Sequence, residues 1–123
     1  MSDNIKPDIT FKELSEKNLL RCLNDYKSKV YEYSAMEWGC KVAGETGELC
    51  NVLKKLRRIE DKKEQYNKES ETEETLLKQA ADEIGDVVIY LDLLAKRIGL
   101  NLSDCVKNKF NYNSELIKSK YKI

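Results

Sequence analysis

Three observations predict an all-α fold, a four-helix-type bundle formed by residues 1–123 as a single domain. The only proline is Pro7, so no proline interrupts a helix in the body of the chain. No stretch alternates apolar and polar residues for long enough to make a strand. Apolar residues recur instead at three- and four-residue intervals, the period of a helix buried along one face. With 41% hydrophobic residues the chain can fill one core.

Thr10 followed by Glu13 is a capping box, in which each side chain satisfies an orphan N–H of the first helical turn. It predicts a first helix from there to about Tyr33, with Phe11, Leu14, Leu19, Leu23, Tyr26 and Val30 as its apolar positions. A second helix over about 35–58 carries Trp38, Val42, Leu49, Val52 and Leu56 on one stripe. Twelve of the eighteen residues from Arg57 to Glu74 are charged, too little apolar surface to order itself, which predicts a solvated linker at about 59–70 or frayed helix ends. Ser70 and Glu73 then cap a third helix, which ends at Gly99 after the basic turn of Lys96 and Arg97. Ser103 opens a shorter fourth.

Lys plus Arg balance Asp plus Glu at 22 each, so no global field recruits nucleic acid or an anionic membrane. The apolar runs, such as "VVIYL", are far shorter than the roughly 20 residues that span a bilayer, and "MSDNIKPD" is too polar for a signal peptide. A cytoplasmic protein is expected. Cys22, Cys40, Cys50 and Cys105 lie far apart with no CxxC, and the absence of histidine removes the usual zinc partners, so buried free thiols are expected.

The acids carry the chemistry. Glu45 falls in the apolar stripe of the second helix, with Glu48 three residues on, and Glu83 and Asp86 repeat that spacing inside the apolar "DEIGDVVIYLDLLA". Residues three apart share a helix face, so each helix offers two carboxylates in one direction, and side-by-side packing converges all four. Such a cluster is stable in an apolar setting only when cations neutralise it, and hard oxygen ligands suit Mg²⁺ or Mn²⁺. Di-iron bundles need Glu-x-x-His pairs, which a chain without histidine lacks. Each pair also contains a glycine, Gly47 or Gly85, small enough to let another group approach.

"GETGEL" followed by "DEIGDVVIYLDLL" resembles the ExxE…ExxD signature of the MazG-like, all-α nucleoside triphosphate pyrophosphohydrolases, and "CNVLKKLRR" and "VKNKFNYNS" resemble its usual flanks. The similarity covers about residues 35–118, and the 34 residues between Glu48 and Glu83 exceed the family's usual gap. The resemblance implies a helical bundle that associates as a homodimer or homotetramer, with Mg²⁺ on Glu45, Glu48, Glu83 and Asp86. It implies cleavage of a ribo- or deoxynucleoside triphosphate, or a modified nucleotide, to monophosphate and pyrophosphate.

Phosphoanhydride hydrolysis needs charge neutralisation and a positioned water rather than a protein nucleophile. Glu45, deepest in the stripe, is the candidate to orient or deprotonate that water. Tyr90, one turn beyond Asp86, matches a family position that contacts base or sugar, and is equally placed to be a core tyrosine. Lys109 and Asn111 of "KFN" match a segment that reaches phosphate or sugar, or are exposed polar residues beside Phe110. Lys55 either meets phosphate or complements the helix dipole. Trp38 is a core residue or a platform for the base. Two other functions use the same acids: a non-catalytic helical protein that binds divalent ions or a basic partner helix, and a metal-dependent phosphatase or nuclease.

Overall fold

The computed structural model describes residues 7–26 and 29–123, so residues 1–6 of the polar start lie outside the described residues. Those described are all-helical. Five α-helices follow in order, α1 (Phe11–Asp25), α2 (Lys29–Glu32), α3 (Ala35–Glu60), α4 (Glu73–Arg97) and α5 (Leu102–Leu116), with a 3₁₀ turn at Glu64–Tyr66. They fall into two compact units, one spanning Ala35–Leu91 and the other joining the segment before Ala35 to that from Asp92 onward. None of the described helices is long and apolar enough to cross a membrane.

In the first unit α3 and the greater part of α4 bury Val52 against Leu76 and Ala80, with Leu49, Leu56 and Ile59 packed around them. The apolar stripe expected of the second helix is therefore its buried face. α3 ends with Lys62 in the left-handed region at φ 57°, where the Lys63 N–H reaches Arg58 O at 2.6 Å and the Lys62 N–H reaches Ile59 O at 3.0 Å. Glycine usually occupies that position because a Cβ is strained there. Lys62→Gly is expected to raise stability by about 0.5–1 kcal/mol, read as a higher urea midpoint at unchanged slope; a lower midpoint would show that the Lys62 side chain supplies more than its strain costs.

The charged stretch expected as a link is exposed over most of its length, and side chains tie it back to α3. Arg58 Nη1 donates to Tyr66 O (3.2 Å) and Asn67 Oδ1 (3.1 Å), and Asn67 Nδ2 donates to Lys55 O (3.0 Å). The Lys55 ammonium pairs with Glu71, whose other carboxylate oxygen accepts from the Lys68 N–H at 2.7 Å. These two donors, Lys55 first, hold the Glu71 carboxyl below its ordinary range. α4 opens on Thr72 and Thr75 rather than on Ser70 and Glu73: the Thr75 N–H donates to Thr72 Oγ1 (3.3 Å) and the Thr72 N–H to Thr75 Oγ1 (3.0 Å). A hydroxyl three residues on takes the reciprocal part that a glutamate takes in a capping box.

In the second unit Thr10 caps α1 as expected, its Oγ1 accepting from the Glu13 N–H at 3.0 Å. The helix stops at Asp25 instead of about Tyr33, and the expected run through 27–28 falls on residues outside the described ones. The buried face of α1 also differs from expectation. It is Ser15, Asn18 and Cys22, while Phe11 and Tyr26 are exposed and Leu14, Leu19 and Leu23 half-buried. The reason is Asp92 of α4, which is fully buried and needs donors: Ser15 Oγ donates to its Oδ1 at 2.6 Å and Asn18 Nδ2 to its Oδ2 at 2.9 Å. Lys96 Nζ completes the network by donating to Ser15 Oγ at 2.7 Å.

α4 ends at Gly99 (φ 76°), with the Leu100 N–H bonded to Ala95 O at 2.8 Å. α5 is capped by Asn101, whose Oδ1 accepts from the Asp104 N–H at 3.1 Å, two residues before the expected Ser103. All four cysteines are free, but only Cys22 is buried, which corrects the expectation of buried thiols. Cys40, Cys50 and Cys105 lie on helix positions turned away from any packed face.

Candidate metal centre

Within the first unit, α3 and α4 meet in a register that can be followed level by level. Trp38 meets Tyr90, Glu45 meets Glu83, and Val52 meets Leu76, so each step forward along α3 is a step back along α4 and the two helices run antiparallel. Seven residues separate successive levels on each helix, two turns or about 10 Å. The unit is thus layered as an aromatic pair, an acid cluster and an aliphatic core.

The acid layer holds three of the four expected ligands at one point. One carboxylate oxygen each from Glu45, Glu83 and Asp86 lies within 4.8 Å of the other two, and Glu45 and Glu83 are half-buried. Glu48 is exposed and stands outside this trio, yet its carboxylate is within hydrogen-bonding reach of both Glu45 and Glu83. Oε2 of Glu45 and Oε2 of Glu83 are buried and have no hydrogen-bond partner. Buried carboxylate oxygens without donors are costly, and among the described residues no lysine or arginine is paired with either.

The electrostatics follow from this crowding. Burial first, then the facing Glu83 carboxyl and the charges of Glu48 and Asp86, push the Glu45 carboxyl up to about 7. Burial, with the charges of Glu48 and Asp86, also raises Glu83, while its bond with Glu45 acts the other way. Glu45 therefore keeps its proton to higher pH than an ordinary glutamate, because burial and neighbouring like charges disfavour its ionised form.

The donor set fits a hard divalent cation, because every first contact is a carboxylate oxygen and two of them lack any other partner. The expected part of the glycines is not seen among the described residues: a Cβ at Gly47 or Gly85 would meet nothing of them within 4 Å. Neither glycine is needed for the approach of α3 to α4.

The residues considered for substrate contact separate. Trp38 is 3% exposed and Tyr90 half-buried, with ring centroids 6.1 Å apart at 40°, so both stand one layer from the acids. Lys55 belongs to the same unit and is engaged with Glu71. Lys109 and Asn111 belong to the other unit. Lys109 Nζ lies 4.7 Å from the centroid of the Tyr112 ring, and the Asn111 amide is taken up by the main chain of Ile123, donating to its O at 2.9 Å and accepting from its N–H at 3.0 Å.

Sequence reasoning passed over Asp92, although it stands inside the same apolar run as Glu83 and Asp86 and an acid in such a run is itself the signal. Comparison of the chain with protein-family models, with curated proteins and with solved structures returns no match.

Proposed function

We propose that this chain is a divalent-cation-dependent nucleoside triphosphate pyrophosphohydrolase. In this reading it is a MazG-like four-helix-type bundle that works in the cytoplasm as a homodimer or homotetramer. It cleaves a ribo- or deoxynucleoside triphosphate, or a modified nucleotide, to monophosphate and pyrophosphate. The observation that carries the reading is the pair of buried, unpartnered oxygens on Glu45 and Glu83 beside Asp86, together with the resemblance of those positions to the ExxE…ExxD pattern.

Glu45, Glu83 and Asp86, with Glu48 at the open side, would hold Mg²⁺ or Mn²⁺, which when bound neutralises phosphate charge and acidifies a water. The chain's own part is position and proton transfer. Glu45 faces the cluster from the apolar stripe and takes the proton of the attacking water at its carboxylate. Trp38 and Tyr90, one layer away on the same two helices, bound the nucleoside end. Lys109 is an exposed cation of the other unit, and Lys55 would have to leave Glu71 to serve a phosphate.

Hydrolysis in ¹⁸O-labelled water with Mg²⁺ tests this. Label is expected in the nucleoside monophosphate, with pyrophosphate unlabelled, because attack falls on the α-phosphorus. Labelled orthophosphate with diphosphate as co-product would assign a phosphatase instead. No product from a panel of common and modified nucleotides would leave the cluster as a non-catalytic ion site.

A further inference from the structure

We infer that α5 and the segment folded back along it form a docking surface for single-stranded nucleic acid. The charge balance of the whole chain hides a segregation. Residues 105–123 hold five lysines and one acid, Glu115, a net +4, whereas the 104 residues before them hold 17 basic and 21 acidic side chains, a net −4. Basic charge gathered in one segment is the electrostatic footprint of a polyanionic partner.

Folding keeps these charges together and in water. Past α5, Lys118 turns the backbone through the left-handed region (φ 56°), and the Ser119 N–H reaches back to Ser114 O at 2.8 Å. The Asn111 amide then holds the main chain of Ile123 by two hydrogen bonds, so the segment returns along the helix it has just left. Lys107, Lys109, Lys118 and Lys120 are exposed, and among the described residues none of them has an acid partner, whereas Lys122 pairs with Glu115. Four like charges on one folded segment repel one another. A line of phosphates relieves that repulsion and releases its own counterions on binding.

The aromatic rings select the class of polyanion. Phe110, Tyr112 and Tyr121 are 43%, 56% and 68% exposed. Lys109 Nζ lies 4.7 Å from the centroid of the Tyr112 ring and Lys120 Nζ 5.4 Å from that of Tyr121, so each pair sets a cation beside a π-face. A nucleotide of a single strand is the complement of such a pair, with an unpaired base for the ring and a phosphate for the ammonium. In a duplex the bases are stacked on one another and closed to the rings. An anionic bilayer asks for lysines flanking a wide apolar helix face, but three of the five lie beyond the end of α5 in "KSKYK", outside any helix. The surface belongs to the unit without the acid cluster, and none of the chemistry assigned to those acids enters the inference.

Fluorescence anisotropy of the full chain with a labelled, mixed-sequence DNA strand of about 15 nucleotides tests the surface. Excess chelator keeps the acid cluster free of cations, so failure of the metal chemistry leaves the result readable. Binding is expected to weaken with salt, the logarithm of the association constant falling against that of salt concentration with a slope of about −3, as four neutralised phosphates at about −0.7 each require. Lys118→Ala with Lys120→Ala should bring that slope to about −1.5. Tyr121→Ala should weaken binding about 5-fold or more, while Tyr121→Phe, which keeps the π-face, should bind as the unaltered chain does. These positions lie beyond α5, so circular dichroism should keep its helical signal in every variant. No binding at low salt, a duplex of the same sequence bound as tightly, or equal binding by Tyr121→Ala and Tyr121→Phe would overturn the inference. So would vesicles of phosphatidylserine and phosphatidylcholine bound in preference to the strand.

Discussion

Asp86→Asn and Glu83→Gln are each expected to remove turnover by about 10²–10³-fold or more while the chain stays folded and its metal-free form becomes harder to unfold. The combination is diagnostic. A structural ion pair loses stability when one partner is neutralised, but here the partners are like charges, and Asp86 raises the proton affinity of both Glu45 and Glu83. Neutralising it relieves repulsion in the metal-free protein and removes a ligand from the metal-bound one.

The pH dependence has a definite sign. The folded chain holds the Glu45 proton up to about 7, against 4.5 for an unperturbed glutamate. The folded state therefore binds that proton more tightly than the unfolded chain does. The stability that Glu45 contributes is complete below pH 4.5 and is lost as pH rises through about 7. The melting temperature of the metal-free protein should fall across that window, and Glu45→Gln should flatten the fall. Mg²⁺ should raise the melting temperature more at pH 8 than at pH 5, since the cation takes the place of the proton. Activity that survives both chelator and Asp86→Asn, or a melting temperature with the same pH slope in Glu45→Gln, would remove the metal-centre reading.

Asp92→Ala is expected to be the most destabilising single change, at about 3–5 kcal/mol out of the roughly 5–15 kcal/mol that holds a domain folded. The carboxylate is fully buried and accepts from Ser15 and Asn18, and Lys96 reaches it through Ser15. Truncation leaves those donors facing a void, with the lysine charge no longer opposed. Asp92→Asn should cost less, because an amide oxygen still accepts from Ser15 while the new NH₂ faces the Asn18 donor. Denaturant midpoints rank the two variants. Turnover per folded molecule should be unchanged in Asp92→Asn, which separates this network from the acid cluster. A loss below about 1 kcal/mol for Asp92→Ala would show that water enters and satisfies the donors.

Much of the candidate site was legible because helix periodicity is a local property. The stripe of Trp38, Val42, Glu45, Leu49 and Val52 puts an acid among core residues whatever α3 packs against, and the same reading applies to Glu83 and Asp86 on α4. Caps were legible where a single residue serves its own turn, by its hydroxyl at Thr10 and by its left-handed backbone at Gly99. They were misplaced where several hydroxyls or amides compete, as at Thr72 against Ser70 and Asn101 against Ser103, since sequence lists the donors and acceptors but not which geometry wins.

By itself, then, the sequence determined the helical class, the buried stripe of α3 and the two acidic pairs, all of which follow from spacing along one chain. Only the tertiary structure decided which acids share a point: Glu45, Glu83 and Asp86 converge, with Glu48 at their exposed side. It also decided that α1 buries serine and asparagine in place of leucine, because their partner is an acid 77 and 74 residues away. It brought Trp38 to Tyr90, engaged Lys55 with Glu71, and committed Asn111 to Ile123. Each of these is a pairing between distant residues, and the energy that selects one pairing over another, the desolvation of a charge against the hydrogen bonds that replace water, exists only once two segments have met.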